Sequence, residues 1–205
     1  MAHIDYFFAV YSPYTYLAGT RLEEIAKNHG ASITYKPVDM MSLFDRTGGT
    51  RPAVRHPNRM AYRAQELGRW AKHRDLAFNI DAPFRGANPA PASYAIIAAQ
   101  NQHAATGAGD LGGLTHRITA CVWARDEDIS DDAVIQSALK DHGFEPALTT
   151  TGLFDGAIAY EKNLEEAVER GVFGAPFYII RETDERFWGQ DRLEFLNAAL
   201  DQIKG

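Results

Sequence analysis

One cysteine, Cys121, is the only thiol in these 205 residues. A lone thiol closes no internal disulfide, so a disulfide-stapled scaffold is excluded and a reducing compartment suits the chain. Positive charge is also scarce: 21 Lys plus Arg stand against 27 Asp plus Glu, a formal charge of −6, which draws the chain to neither phosphate backbones nor anionic lipid. Nucleic acid and membrane are therefore not expected partners. No apolar run approaches the roughly 20 residues that span a bilayer. The start, Met1 to Asp5, enters an apolar segment without the basic and small-residue flanks of a secretion signal, so a cytoplasmic address is the expectation. The seven histidines form no H-E-x-x-H pair and Cys121 has no partner at ligand spacing, so no metal is expected. What the chain has is 45% hydrophobic and 23% charged residues, enough for a sizeable core.

Residues 4 to 11 are aromatic and β-branched and stop at Ser12-Pro13, which predicts a buried strand. Ser12 then caps a helix opened by Pro13, with an apolar face through Leu17, Leu22 and Ile25 to a stop at Gly30. A second strand, Ile33 to Val38, completes a β-α-β unit. From Met40 to about Gly171 helical texture dominates, with helices near 57–74, 90–104, 112–125, 131–142 and 150–170. Strands return at 176–180 and 186–188, followed by an amphipathic helix from Asp191. The fold class is α/β: a β-α-β start and a β-β-α finish, residues 1–40 plus 172–205, around an all-helical insertion, residues 41–171.

Several motifs carry two readings. Gly107, Gly109 and Gly112 fit a dinucleotide spacing, but they follow a helix-like segment rather than a strand, so a helix connection is the better reading. Cys121 lies among Ile118, Val122 and Trp123 and reads as a buried structural thiol. Ser12 is either an ordinary cap or a donor at a helix start that receives an anion. Pro176 opens a strand either in trans or through a cis bond after Ala175, and Asp191 is either a cap or a ligand group.

Three separated segments decide between these readings. Asp5-Tyr6-Phe7-Phe8 with Tyr11-Ser12-Pro13-Tyr14 and Tyr16-Leu17, then Leu67-Gly68-Arg69-Trp70-Ala71, then Gly171 to Pro176 followed by Phe187-Trp188-Gly189-Gln190-Asp191-Arg192, resemble the 2-hydroxychromene-2-carboxylate isomerases. More distantly they resemble the kappa-class glutathione transferases; both belong to the DsbA-like branch of the thioredoxin superfamily. The resemblance implies a thioredoxin-like domain with a helical insertion. Where thioredoxin-like oxidoreductases carry Cys-x-x-Cys, this chain has Ser12-Pro13-Tyr14-Thr15, so dithiol exchange is absent.

The resemblance further implies that glutathione is the cofactor, its thiolate accepting a hydrogen bond from Ser12. Ala175 and Pro176 would pair with its cysteinyl part, Gln190 and Asp191 would hold the γ-glutamyl end, and Arg59 would meet the glycyl carboxylate. Thr50 stands in the loop where relatives carry an asparagine that contacts glutathione or substrate, and would replace it in part as a cofactor-binding residue. Asn88 matches a pocket asparagine, although it also reads as a turn residue before Pro89. Asn88, Arg85 and Tyr14 are the expected substrate contacts, with Arg59 or Arg85 on a substrate carboxylate. The implied activity is glutathione-dependent cis-trans isomerisation of an aromatic oxoacid by reversible thiolate addition, in a homodimer. A kappa-type transferase or peroxidase and a non-catalytic thioredoxin-fold binding module are the alternatives.

Overall fold

The structure is a computed structural model that describes residues 1–203. Its sheet has four strands in the order β2-β1-β3-β4: β1 (His3–Phe8), β2 (Ser32–Pro37), β3 (Phe177–Ile180) and β4 (Arg186–Trp188). Strand β1 runs parallel to β2 and antiparallel to β3, with Tyr6 opposite Tyr35 on one side and Tyr178 on the other. Between β1 and β2 lie α1 (Pro13–Ala18) and α2 (Arg21–His29). Between β2 and β3 run α3 (Met40–Thr47), α4 (Pro57–His73), α5 (Ala90–Thr106), α6 (Leu111–Trp123), α7 (Asp132–Asp141), the single turn α8 (Leu148–Thr151) and α9 (Leu153–Glu169). Helix α10 (Leu193–Ile203) follows a 3-10 turn at Gln190–Arg192. No helix among the described residues is long and apolar enough to cross a membrane.

Alternation along a strand sends successive side chains to opposite faces, and here both faces are covered. Ile4, Tyr6, Phe8, Tyr178 and Ile180 join a large apolar cluster with Leu17 and Leu22, with Ile96 of α5 and Leu114 and Ile118 of α6, and with Leu196 and Leu200 of α10. Phe7, Phe177 and Ile179 point the other way, onto Leu43 of α3, Ala167 of α9 and Val172. Burying the larger cluster ties the helical segment to the sheet, since side chains of α5 and α6 complete the layer that β1 opens.

Three elements depart from the sequence expectation. The single helix predicted after Ser12 breaks at Gly19, whose φ of 61° and ψ of −140° lie outside any helical region, so α1 is only six residues long. The apolar spacing runs unbroken across that glycine, and periodicity does not register one backbone dihedral. The helix predicted over 150–170 divides at Gly152 into α8 and α9. The α9 helix passes so near α5 that a side chain on Gly156 would strike the Tyr94 backbone. Helix α3 had no separate prediction, although Asp39 caps it through the Met41 and Ser42 N–H groups at 3.0 and 3.3 Å. The glycine triplet at 107–112 is the α5–α6 connection, Gly107 ending α5 in the left-handed region.

Candidate active site

Strand β1 ends at Phe8 because the next residues turn: the Ser12 N–H donates to the Ala9 carbonyl at 2.9 Å. The antiparallel β1–β3 register closes on the Phe7–Phe177 pair, so the chain leaving β1 for Ser12 and the chain entering β3 from Ala175 and Pro176 lie at the same sheet end. The Ala175–Pro176 bond is cis. Ser12 is buried, and its oxygen accepts from the Thr15 N–H at 3.3 Å. Among the described residues nothing accepts the Ser12 proton, so the hydroxyl caps α1 with its lone pair and keeps its O–H to give.

The second side of the site is the Gln190–Arg192 turn, which packs on α1. Gly189 makes it possible: at φ 112° and ψ 154° it holds a conformation open essentially to glycine alone, and its N–H donates to the Pro176 carbonyl at 2.9 Å. Gln190 is buried, its backbone carbonyl accepting from Arg21 at 3.2 Å, while its side-chain oxygen Oε1 has no partner. A buried amide oxygen without a donor costs free energy unless something supplies one. Asp191 is half-buried and takes Arg192 Nη1 at 2.5 Å. Gly174 passes beneath the Trp188 indole, where a side chain would meet the ring nitrogen.

The third side comes from α4. Arg63 lies over the Tyr14 ring, 5.6 Å from guanidinium carbon to centroid, and the Tyr14 hydroxyl donates to Glu66 at 3.3 Å. Burial, then the Glu66 charge, raises the Tyr14 pKa, so that phenol stays protonated. Behind Ser12, the Trp123 ring N–H donates to the Tyr11 carbonyl at 3.1 Å, so α6 grips the residue that precedes the hydroxyl.

The model of a DSBA-like thioredoxin domain matches residues 3–201. The chain belongs to that family. Within it, the chain is 29% identical over 200 residues to the 2-hydroxychromene-2-carboxylate isomerase of Sphingobium xenophagum, covering 96% of this chain and 97% of the relative. A solved 2-hydroxychromene-2-carboxylate isomerase superposes with a TM-score of 0.75 at 22% identity, over 98% of this chain and 95% of that one. The cytosolic disulfide reductase DsbM of Pseudomonas aeruginosa, solved with GSH, superposes at 0.70 with 16% identity, over 99% and 100% of the two chains. The resemblance expected from the sequence is thus borne out, and so is the fold class.

The site residues predicted for this DSBA-like chain fall into two groups. Ser12, Tyr14, Ala175, Pro176, Gln190 and Asp191 stand along α1 and the sheet end that faces it. Arg59 is exposed on α4, and the Thr50 carbonyl accepts from Arg55 at 2.8 Å, which ties that loop to the same helix start. Asn88 and Arg85 are instead engaged in their own loop. The Asn88 side chain accepts from the Ala90 N–H at 3.1 Å, and Arg85 donates to the Ile80 carbonyl at 3.1 Å beside Asp81. Arg55, Arg63 and Glu66 were not singled out from the sequence; the four-residue spacing of Arg55, Arg59 and Arg63 was the available signal. Cys121 is fully buried, and burial pushes its thiol up to about 12, so it is no nucleophile at neutral pH.

Proposed function

We propose that this DSBA-like chain is a glutathione-dependent isomerase of 2-hydroxychromene-2-carboxylate and similar aromatic oxoacids. The observation that carries the reading is Ser12, a buried hydroxyl with its proton unspent, at the sheet end where β3 begins and on the helix against which the Gln190 turn packs, in a chain without a reactive thiol of its own. The relatives named for this activity lend it support. The residues present fit the tripeptide: Gln190 Oε1 lacks a donor that an ammonium supplies, Asp191 adds a carboxylate, and the Ala175 backbone, which makes no hydrogen bond among the described residues, can pair with an extended peptide. Arg59 would take the glycyl carboxylate. Glutathione, when bound, supplies a thiolate that adds reversibly to the ring-opened unsaturated oxoacid, so that a double bond becomes single, turns, and is restored.

The Ser12 O–H has to favour the ionised sulfur over the neutral thiol. A thiol of pKa about 8.5 is mostly protonated at neutral pH, and lowering it by ~2 units takes roughly 2.7 kcal/mol. A hydrogen bond to a charged partner gives about 1.5–3 kcal/mol, whereas a helix N-terminus gives about 0.3–1. With α1 cut to six residues, the hydroxyl carries the larger share. Ser12 therefore acts as a donor, and no His or Asp is required behind it.

Absorbance of 2-hydroxychromene-2-carboxylate and its trans isomer, followed with and without glutathione, tests the reading. Equilibration that needs both enzyme and glutathione is expected. Conjugation of chlorodinitrobenzene without isomerisation would shift the assignment to a transferase, and no rise in melting temperature with millimolar glutathione would leave a binding module.

A further inference from the structure

Arg55, Arg59 and Arg63 stand at four-residue steps, from the residue after the 3-10 turn Pro52–Val54 into the second turn of α4. This is an unfavourable arrangement. Arg59 and Arg63, one helical turn apart, repel, and Arg59 also stands in the first turn of α4, where the positive end of the helix dipole opposes it. Many of the other arginines are neutralised, Arg46 on Glu165, Arg117 on Glu127, Arg170 and Arg181 on Asp5, Arg186 on Asp184, whereas Arg21 and Arg69 turn to amide oxygens and Arg74 to the Trp70 ring. Among the described residues no carboxylate stands within ion-pair distance of Arg55, Arg59 or Arg63.

Two of the three are also held in place. Arg55 lies over the Phe44 ring at 5.6 Å and spends its Nε on the Thr50 carbonyl. Arg63 lies over the Tyr14 ring, its Nε closed off from solvent without a hydrogen-bond partner. Burial, then the charges of Arg63 and Arg59, depress the basicity of Arg55. Aromatic faces thus fix two half-buried guanidinium groups, Arg55 on Phe44 and Arg63 on Tyr14, two residues from Ser12; the two feel each other's charge, and their terminal N–H groups are taken by no carboxylate. Such a pair suits an oxyanion held through charge-assisted and bidentate hydrogen bonds, and of the ligands the isomerase reading supplies, that is a carboxylate.

We propose that Arg55 on Phe44 and Arg63 on Tyr14 form a carboxylate clamp that holds the acid group of the oxoacid substrate and selects for it. The proposal rests on the isomerase reading for the identity of that acid, and it replaces Arg85 in this role, since Arg85 is engaged with Ile80 and Asp81. Glutathione offers a carboxylate too, at its glycyl end, so the test separates the two sources.

The test titrates the wild-type protein, R55Q, R63Q and the surface control R69Q with three probes: trans-benzylidenepyruvate, its methyl ester, and glutathione. Melting temperature and ligand-induced fluorescence change serve as readouts, and neither needs turnover. In R55Q and R63Q, affinity for the free acid is expected to fall about tenfold or more. Affinity for the ester and for glutathione should stay within about twofold, and R69Q should match wild type. Arg63→Lys should restore part of the affinity by keeping the charge while losing the fork. Unchanged acid binding in both variants overturns the clamp, and a loss confined to glutathione overturns its assignment to the substrate. Acid binding that needs both arginines, in a protein that fails to isomerise, upholds the clamp and sinks the isomerase reading instead.

Discussion

Ser12 uses one oxygen twice: a lone pair closes the first turn of α1 on the Thr15 N–H, and the proton remains for a sulfur. The two uses separate in mutants. Ser12→Ala loses the cap, about 1 kcal/mol of stability, and also loses the donor, which corresponds to a fall in turnover of roughly 10- to 100-fold. Ser12→Thr keeps both groups and is expected to retain most of the activity. A urea melt beside the isomerisation assay distinguishes them, and an alanine variant of full activity would remove Ser12 from the chemistry. Cys121 gives the complementary case. Its thiol donates to no catalytic group, sits beside Arg117 Nη1 at 2.7 Å, and is buried. Cys121→Ala should leave glutathione-dependent turnover within about twofold at a stability cost of ~1 kcal/mol. Abolished turnover in a folded C121A protein would mean that the sulfur comes from the chain itself.

At the level of elements, the site is a meeting of chain ends: the turn after β1, the turn before β3 and the turn before α10. Gly189 holds the last of these, joined to Pro176 by one backbone hydrogen bond. A Cβ at φ 112° would be strained and would crowd the Asp191 carboxylate, so Gly189→Ala should cost about 1–3 kcal/mol in a urea melt. The same variant should weaken glutathione binding by displacing Gln190; wild-type affinity would mean that the turn does not hold the tripeptide. These turns also mark what the sequence could show. Strands β1, β2 and β3 were legible as short runs of aromatic and β-branched residues bounded by proline, and the helices because their apolar stripes run for several turns. The break at Gly19 was hidden, since Leu17, Leu22 and Ile25 keep helical spacing across it. Arg55 and Arg63 carried no motif that set them apart in the sequence; only the fold shows Phe44 and Tyr14 beneath them. For Asn88 the turn reading before Pro89 matches the local bond that the structure shows, whereas the Arg85 bond, five residues back to Ile80, left no mark in the sequence.

Across the whole molecule, one buried carboxylate joins the two ends of the fold. Asp5 of β1 accepts from Arg181 after β3 at 2.7 and 2.8 Å and from Arg170 after α9 at 2.5 Å, and it lies 3.4 Å from Lys36 of β2. Burial alone would push its carboxyl up, yet Arg181, Lys36 and Arg170 together pull it down to about 2, against 3.8 for the ordinary group. A folded-state pKa below the unfolded one means that the folded protein binds this proton less readily. The stabilisation is therefore fully present above about pH 4 and is lost as acid titrates the group down through pH 2. A depression of this size is worth on the order of 2 kcal/mol at neutral pH. Asp5→Asn removes that contribution and leaves three cations facing one another, so the variant should be less stable than wild type by about 3–5 kcal/mol at pH 7. Below pH 4 the wild-type carboxylate protonates while the amide does not change, so the difference between the two melting temperatures should narrow steadily toward pH 2. Melts of both proteins at half-unit pH steps check this, and a gap that stays constant from pH 7 to pH 2 would show that Asp5 stabilises the fold by its shape and hydrogen bonds rather than by its charge.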